Sequence, residues 1–152
     1  MKRHPALEPF SRDHNGGLFA ARKLSQGLAP EEALLEFAEL WREEMKDHFD
    51  EEERLLGRLC LPGELERLID EHKRIGALAE NGTPAQATTL GKLLNDHIRW
   101  EERSLFPAIE SRATPEDFDW LERETAALED RRAELPRNAR RAELVKRRRS
   151  DG

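Results

Sequence analysis

The side chains best equipped for chemistry in this chain are His14, His48, His72 and His97, four of its five histidines, with Glu52 and Glu101 each placed four residues after a histidine. Each histidine falls on the apolar face of a different predicted helix. Imidazoles and carboxylates enclosed in a helical core without a counter-charge cost on the order of several kcal/mol per ion. A bound cation removes that cost, so the pattern points to a metal centre. The set contains no thiolate, and nitrogen with carboxylate oxygen suits iron, manganese or zinc better than a soft ion. Two carboxylates able to bridge favour a pair of ions.

Helical spacing is what would bring the donors to one face. Leu34, Ala38, Trp41, Met45, His48, Glu52, Leu55 and Leu59 advance in alternating steps of four and three, one inward stripe along an α-helix. Leu90, Leu93, His97, Glu101, Ser104 and Ala108 repeat the pattern. Glu102 also follows His97, but lies about 140° around the axis from it, whereas Glu101 lies only about 40° away. Glu101 is therefore the preferred donor and Glu102 the second choice. Leu65, Leu68, His72 and Ala79 form a third stripe, and His14, Ala21, Leu24 and Leu28 a fourth. Two six-coordinate ions need about twelve donor bonds, of which four imidazoles, two bridging carboxylates and a bridging oxide or hydroxide supply about ten. The remaining positions would be open to a small ligand.

Proline, glycine and capping residues cut the chain into the helices that must position these groups, and no alternating run argues for a strand. A first helix is predicted from Ser11 or Arg12 to Gly27, and a second from Pro30 to about Leu59. A third follows Pro62 and Gly63 and ends near Asn81 and Gly82. Thr83, Pro84 and Gln86 read as an N-cap, first-turn proline and capping-box partner for a fourth, which runs to about Ser111 with a bend at Pro107. Thr114, Pro115 and Asp117 repeat that start signal for a fifth, fading before Pro136. The expected fold is all-α: an antiparallel up-down four-helix bundle with short links, an additional C-terminal helix and a basic tail.

Composition agrees with such a molecule. Charged residues make up 38% of the 152 and apolar ones 37%, the balance of amphipathic helices around a small core. A net charge of −6 gives the whole molecule no attraction for nucleic acid or anionic lipid. Between Arg137 and Arg149, however, seven of thirteen positions are basic, a solvated tail or a contact for nucleic acid or another acidic partner. No apolar run is long enough for a signal peptide or membrane span, and the single cysteine, Cys60, suits a reducing compartment, so the expected location is the cytoplasm.

The segments DHNGGLF around His14, DHFDEEERLL around His48, DEHKRI around His72 and DHIRWEERSLFP around His97 resemble the haemerythrin-like, or HHE cation-binding, family. The likeness spans residues 4–112, leaving 113–136 as a helical extension and 137–152 as the basic tail. It implies a non-haem di-iron centre with a bridging oxygen, in which His14, His48, His72 and His97 are terminal ligands and Glu52 and Glu101 bridge. The oxygen carriers of the family have a second third-helix histidine four residues on, where this chain has Gly76, and a carboxylate five residues after the last histidine, the position of Glu102. Bacterial and F-box members resemble this chain in having one third-helix histidine and HxxxE on the fourth helix.

The resemblance implies a protein that binds, senses or detoxifies dioxygen, peroxide or nitric oxide, or handles iron. One alternative is a di-iron oxidase or peroxidase. Another is an iron-responsive interaction module that uses its basic tail. Ferritin-type ExxH pairs are absent at both His48 and His97, and without tyrosine there is no tyrosyl radical. Gly16, Gly17 and Gly76 leave two readings open, space beside the metals for a ligand, or close backbone packing or a late helix start. Cys60 is expected to be inert, and His4 to lie on the surface.

Overall fold

A computed structural model describes residues 2–134, and every regular element among them is helical. The helices are α1 (Glu8–Gln26), α2 (Pro30–Leu40), α3 (Lys46–Leu55), α4 (Pro62–Asn81), α5 (Ala87–Trp100), α6 (Phe106–Arg112) and α7 (Pro115–Glu134). Two pairs are continuous rods. A π turn, Trp41–Met45, joins α2 to α3, and another, Glu101–Leu105, joins α5 to α6. The described residues thus form five helical bodies, as the breakers imply. The predicted tail, 137–152, lies outside the described residues. No described helix is long and apolar enough to cross a membrane.

Local chemistry sets most of the ends. Gly27 takes φ 66°, the left-handed conformation that closes α1. At the other end α1 starts at Glu8, before the predicted Ser11 or Arg12, because Pro9 is tolerated in a first turn and the His4 carbonyl accepts from the Leu7 and Glu8 amides at 2.9 and 3.1 Å. Thr114 and Asp117 form a reciprocal capping box at α7, the Thr114 amide donating to the Asp117 carboxylate at 2.9 Å and the Asp117 amide to Thr114 Oγ1 at 3.1 Å.

The π turns change which residues face inward. In each, an amide bonds to the carbonyl five residues back, Lys46 to Trp41 and Phe106 to Glu101. Such a turn holds one residue more than an α turn, which shifts the inward stripe by one position, or about 100°. Ala33 and Phe37 are accordingly buried where the uniform pattern put Leu34 and Ala38. From the last residue of the second π turn onward Leu105 and Ile109 are buried, and the predicted Ser104 is exposed. Pro107, expected to bend the fourth helix, lies just past that turn. Leu28 was assigned inward but is 85% exposed, because the chain reverses at Gly27.

Two apolar clusters result. One gathers Leu24, Phe37, Trp41, Phe49, Ile75 and Leu94; the other gathers Leu7, Phe10, Leu55, Leu68, Phe106 and Leu121. Each buried side chain of this size contributes about 1.5–3 kcal/mol. The second cluster includes α7, whose Phe118, Trp120 and Leu128 pack against it. His4 is half-buried rather than free on the surface, its ring stacked on Phe118 at 3.7 Å. The clusters lie on opposite sides of the candidate donors. On α1 the order is Phe10, His14, Ala21; on α4 it is Leu68, His72, Ile75.

Candidate metal centre

Four helices deliver the six residues to one buried layer. His14 comes from α1, His48 and Glu52 from α3, His72 from α4, His97 from α5, and Glu101 from the start of the second π turn. All are at most 4% exposed, and both glutamates are fully buried. Every histidine aims Nε2 at the carboxylates. Glu101 lies between two imidazoles, with Oε2 2.7 Å from His14 Nε2 and Oε1 2.7 Å from His97 Nε2. Glu52 Oε1 is 2.5 Å from His48 Nε2, while His72 Nε2 stands 3.6 Å from Glu101 and 3.9 Å from Glu52. Donor atoms within 4.8 Å of one another form two groups, His14, His48, Glu52 and Glu101, and His72, His97 and Glu101. Glu101 belongs to both. The second choice, Glu102, is not in either.

These atoms are close without being bonded. None of the four Nε2 atoms and none of the four oxygens of Glu52 and Glu101 makes a hydrogen bond of acceptable direction, despite the short separations. Buried polar atoms nearly always find partners, and orphaning one costs about 1–3 kcal/mol. Eight in one layer is the mark of donors directed at a shared point between them. Nitrogen and carboxylate oxygen in this arrangement fit divalent or trivalent cations such as iron, manganese or zinc.

The other nitrogen of every imidazole is occupied. His14 Nδ1–H donates to Glu102 at 2.7 Å, His48 Nδ1–H to Asp13 at 3.0 Å, His72 Nδ1–H to Glu53 at 2.9 Å and His97 Nδ1–H to Glu71 at 2.8 Å. An ionised carboxylate only accepts, so the proton sits on Nδ1 and the Nε2 lone pair is left for a metal. The four bonds close a circuit. Each of the four site-bearing bodies gives one imidazole and one outer carboxylate, and each carboxylate serves a neighbouring body: α1 serves α3, α3 serves α4, α4 serves α5, and Glu102 returns from the π turn to α1. Arg3 in turn holds Glu102, donating to its carboxylate at 2.9 Å and its carbonyl at 2.8 Å, and also pairs with Glu110.

The sequence reading missed this outer layer as a set. A signal was present, since Asp13, Glu53, Glu71 and Glu102 are each adjacent in sequence to a donor. Adjacent residues diverge by about 100° on a helix, which turns these carboxylates away from their own helix's donor and towards the next helix.

Charges compensate tightly in the absence of metal. Burial opposes protonation of His14 and His97, but the carboxylates outweigh it, Glu101 chief among them, raising these histidines to about 9 and about 10. His48 and His72 are raised in the same way, with Glu52 and Asp13 acting on His48 and Glu101 and Glu53 on His72. Burial and the neighbouring Glu101 push Glu52 up, whereas the imidazoles overcome burial and hold Glu101 well below the usual carboxylate range. Protons thus occupy the role a cation would take, and a metal must displace them.

Of the two readings of the glycines, close packing is the one observed at Gly17 and Gly76. A Cβ on Gly76 would lie 2.8 Å from the Trp41 ring, and one on Gly17 would lie 2.8 Å from Ile98 Cδ1. Both are sites of close packing, and Gly16 is exposed. Half-buried Cys60 packs beside the second apolar cluster, where burial pushes its thiol up to about 12, so it stays neutral near pH 7.

No family model, no curated protein and no solved structure matches this chain.

Proposed function

We propose that this chain is a haemerythrin-like protein, an antiparallel four-helix bundle with an appended fifth helix, that holds a pair of non-haem metal ions, iron first among them, and uses them on a small ligand such as dioxygen, peroxide or nitric oxide. The observation that carries this reading is the set of eight buried nitrogen and oxygen atoms on four helices that converge without forming hydrogen bonds. His14, His48, His72 and His97 would hold the ions through Nε2, with Glu52 and Glu101 as the carboxylates between them. When bound, such a pair supplies reversible ligation or electron transfer to the small molecule.

The rest of the chemistry belongs to the chain. The outer carboxylates keep each imidazole in the tautomer a metal needs. Phe49, stacked on His72 at 3.8 Å, and Phe106, stacked on His14 at 5.6 Å, shield the layer from water. That enclosure favours a small, weakly hydrated ligand. The lone cysteine, Cys60, suits a reducing compartment such as the cytoplasm.

Metal quantification and an ultraviolet-visible spectrum of aerobically purified protein test the proposal. About two equivalents of iron with ligand-to-metal absorption are expected. A folded, helical protein that takes up no iron, manganese or zinc would overturn it. Sustained consumption of peroxide or nitric oxide with an electron donor would assign the same centre to an oxidase or peroxidase, and binding without consumption to a sensor or carrier.

A further inference from the structure

Glu102 is singled out by its backbone as well as by its carboxylate. In the second π turn the Phe106 amide donates to Glu101 rather than to Glu102, and the next residue, Pro107, has no amide proton to give. The Glu102 carbonyl is therefore left without a helical donor. Arg3 supplies one, its guanidinium donating to that carbonyl at 2.8 Å and to the carboxylate of the same residue at 2.9 Å. The first π turn provides the contrast. There the Lys46 amide donates to Trp41, and Asp47, which occupies the place of Pro107, has an amide to offer the Arg42 carbonyl. That turn can close on its own backbone.

Arg3 is itself held firmly. It pairs with Glu110, lies over the Phe106 ring at 5.3 Å and has a side chain only 19% exposed. The His4 amide donates to Glu110 at 2.8 Å, and the His4 ring on Phe118 ties this N-terminal segment to α7. The register of the turn decides which glutamate meets the imidazoles. Phe106, fully buried in the second apolar cluster, lies five positions after Glu101, about 140° from it on an α-helix but about 40° from it across a turn with one extra residue. Were the Phe106 amide to bond Glu102 instead, the ordinary α turn would bring Glu102 to the face of Phe106 and turn Glu101 aside. Resting on the metal-binding reading above, we infer that Arg3 is a positioning residue of the metal centre: it holds the second π turn in the register that presents Glu101, and not Glu102, to the four imidazoles. The planar fork of a guanidinium can serve the Glu102 carbonyl, the Glu102 carboxylate and Glu110 together, which the point charge of a lysine cannot.

Two measurements on chelator-stripped, full-length protein test the inference. In the metal-free state, amide hydrogen exchange read by NMR should accelerate at least about tenfold at Phe106 in Arg3→Ala and stay unchanged at Lys46 of the first π turn. On titration with cobalt(II), Arg3→Ala should bind about 10–100-fold more weakly than wild type, with an altered d–d spectrum. Arg3→Lys keeps the charge without the fork and should stay closer to Arg3→Ala than to wild type in both measurements. Leu128→Ala, which thins the same apolar cluster further along α7, should lower the melting temperature and change neither readout. Unaltered Phe106 exchange in Arg3→Ala, equal acceleration at Lys46, full recovery in Arg3→Lys, or an equal loss of cobalt affinity in Leu128→Ala would each overturn the inference while leaving the metal-binding reading intact. Failure of folded wild-type protein to bind cobalt would count against the metal-binding reading, and the exchange at Phe106 would still decide whether Arg3 sets the turn.

Discussion

The two rods that contain π turns differ from the two site-bearing helices that do not. α2–α3 and α5–α6 each bring an imidazole and a fully buried carboxylate to the layer, whereas α1 and α4 each bring an imidazole alone. In both interrupted rods the stripe on one side of the turn is one residue out of step with the other. A regular helix repeats the same face at fixed intervals, so apolar packing and donor placement must share one register. The wide turn lets packing and donors follow separate registers. α1 and α4 carry a single donor each and have less need of that freedom.

The largest expected effect comes from Glu101, the residue shared by both donor groups. On the proposed dinuclear reading, Glu101→Gln should abolish binding of both metal equivalents, whereas His72→Ala on uninterrupted α4 should remove only one, as measured by elemental analysis of folded protein. Equal losses in the two variants would erase the distinction between the rods. Next in size is deletion of Arg103, an exposed residue of the second π turn. The deletion permits an ordinary α turn with Leu105 and Ile109 still inward, so helicity by circular dichroism should persist while metal content falls. Full metal content in that variant would mean that the wide turn serves packing alone.

Smaller changes probe the outer carboxylates. Glu71→Gln on α4 should weaken metal binding by about 10–100-fold, because His97 loses the acceptor that fixes its tautomer. Asp13→Asn should do the same through His48. Calorimetry of each variant measures the loss.

The smallest effect is one of pH on the metal-free protein. His14 and His97 are raised to about 9 and about 10 from the ordinary 6.5, so their stabilisation is complete below about 6.5 and is lost as pH rises through 9 to 10. The melting temperature of metal-free protein should therefore fall between pH 7 and 10, and that of metal-loaded protein should fall less, since its imidazoles carry no Nε2 proton to lose. Identical slopes in the two forms would contradict the assigned electrostatics.

The legible part of this molecule was the part governed by neighbours three or four residues apart. His48 with Glu52, and His97 with Glu101, lie one turn apart on single helices, and local spacing alone aligns them. The same holds for the Thr114–Asp117 box and the Gly27 terminus. What escaped depended on a single inserted residue or on contacts between helices. Nothing in WREEM or EERSL announces a π turn, yet it moved the buried positions from Leu34 to Ala33 and from Ser104 to Leu105. Whether Gly76 marked an opening or close packing depended on Trp41, 35 positions earlier in the chain, which lies against it.

The circuit of imidazole–carboxylate bonds has a consequence for biosynthesis. Its last link joins His14 to Glu102, 88 residues later. A nascent chain cannot close the loop until the second π turn has left the ribosome, so on the proposed reading complete ion capture waits for that stretch of the chain. Fragments ending before that turn would be unable to hoard metal.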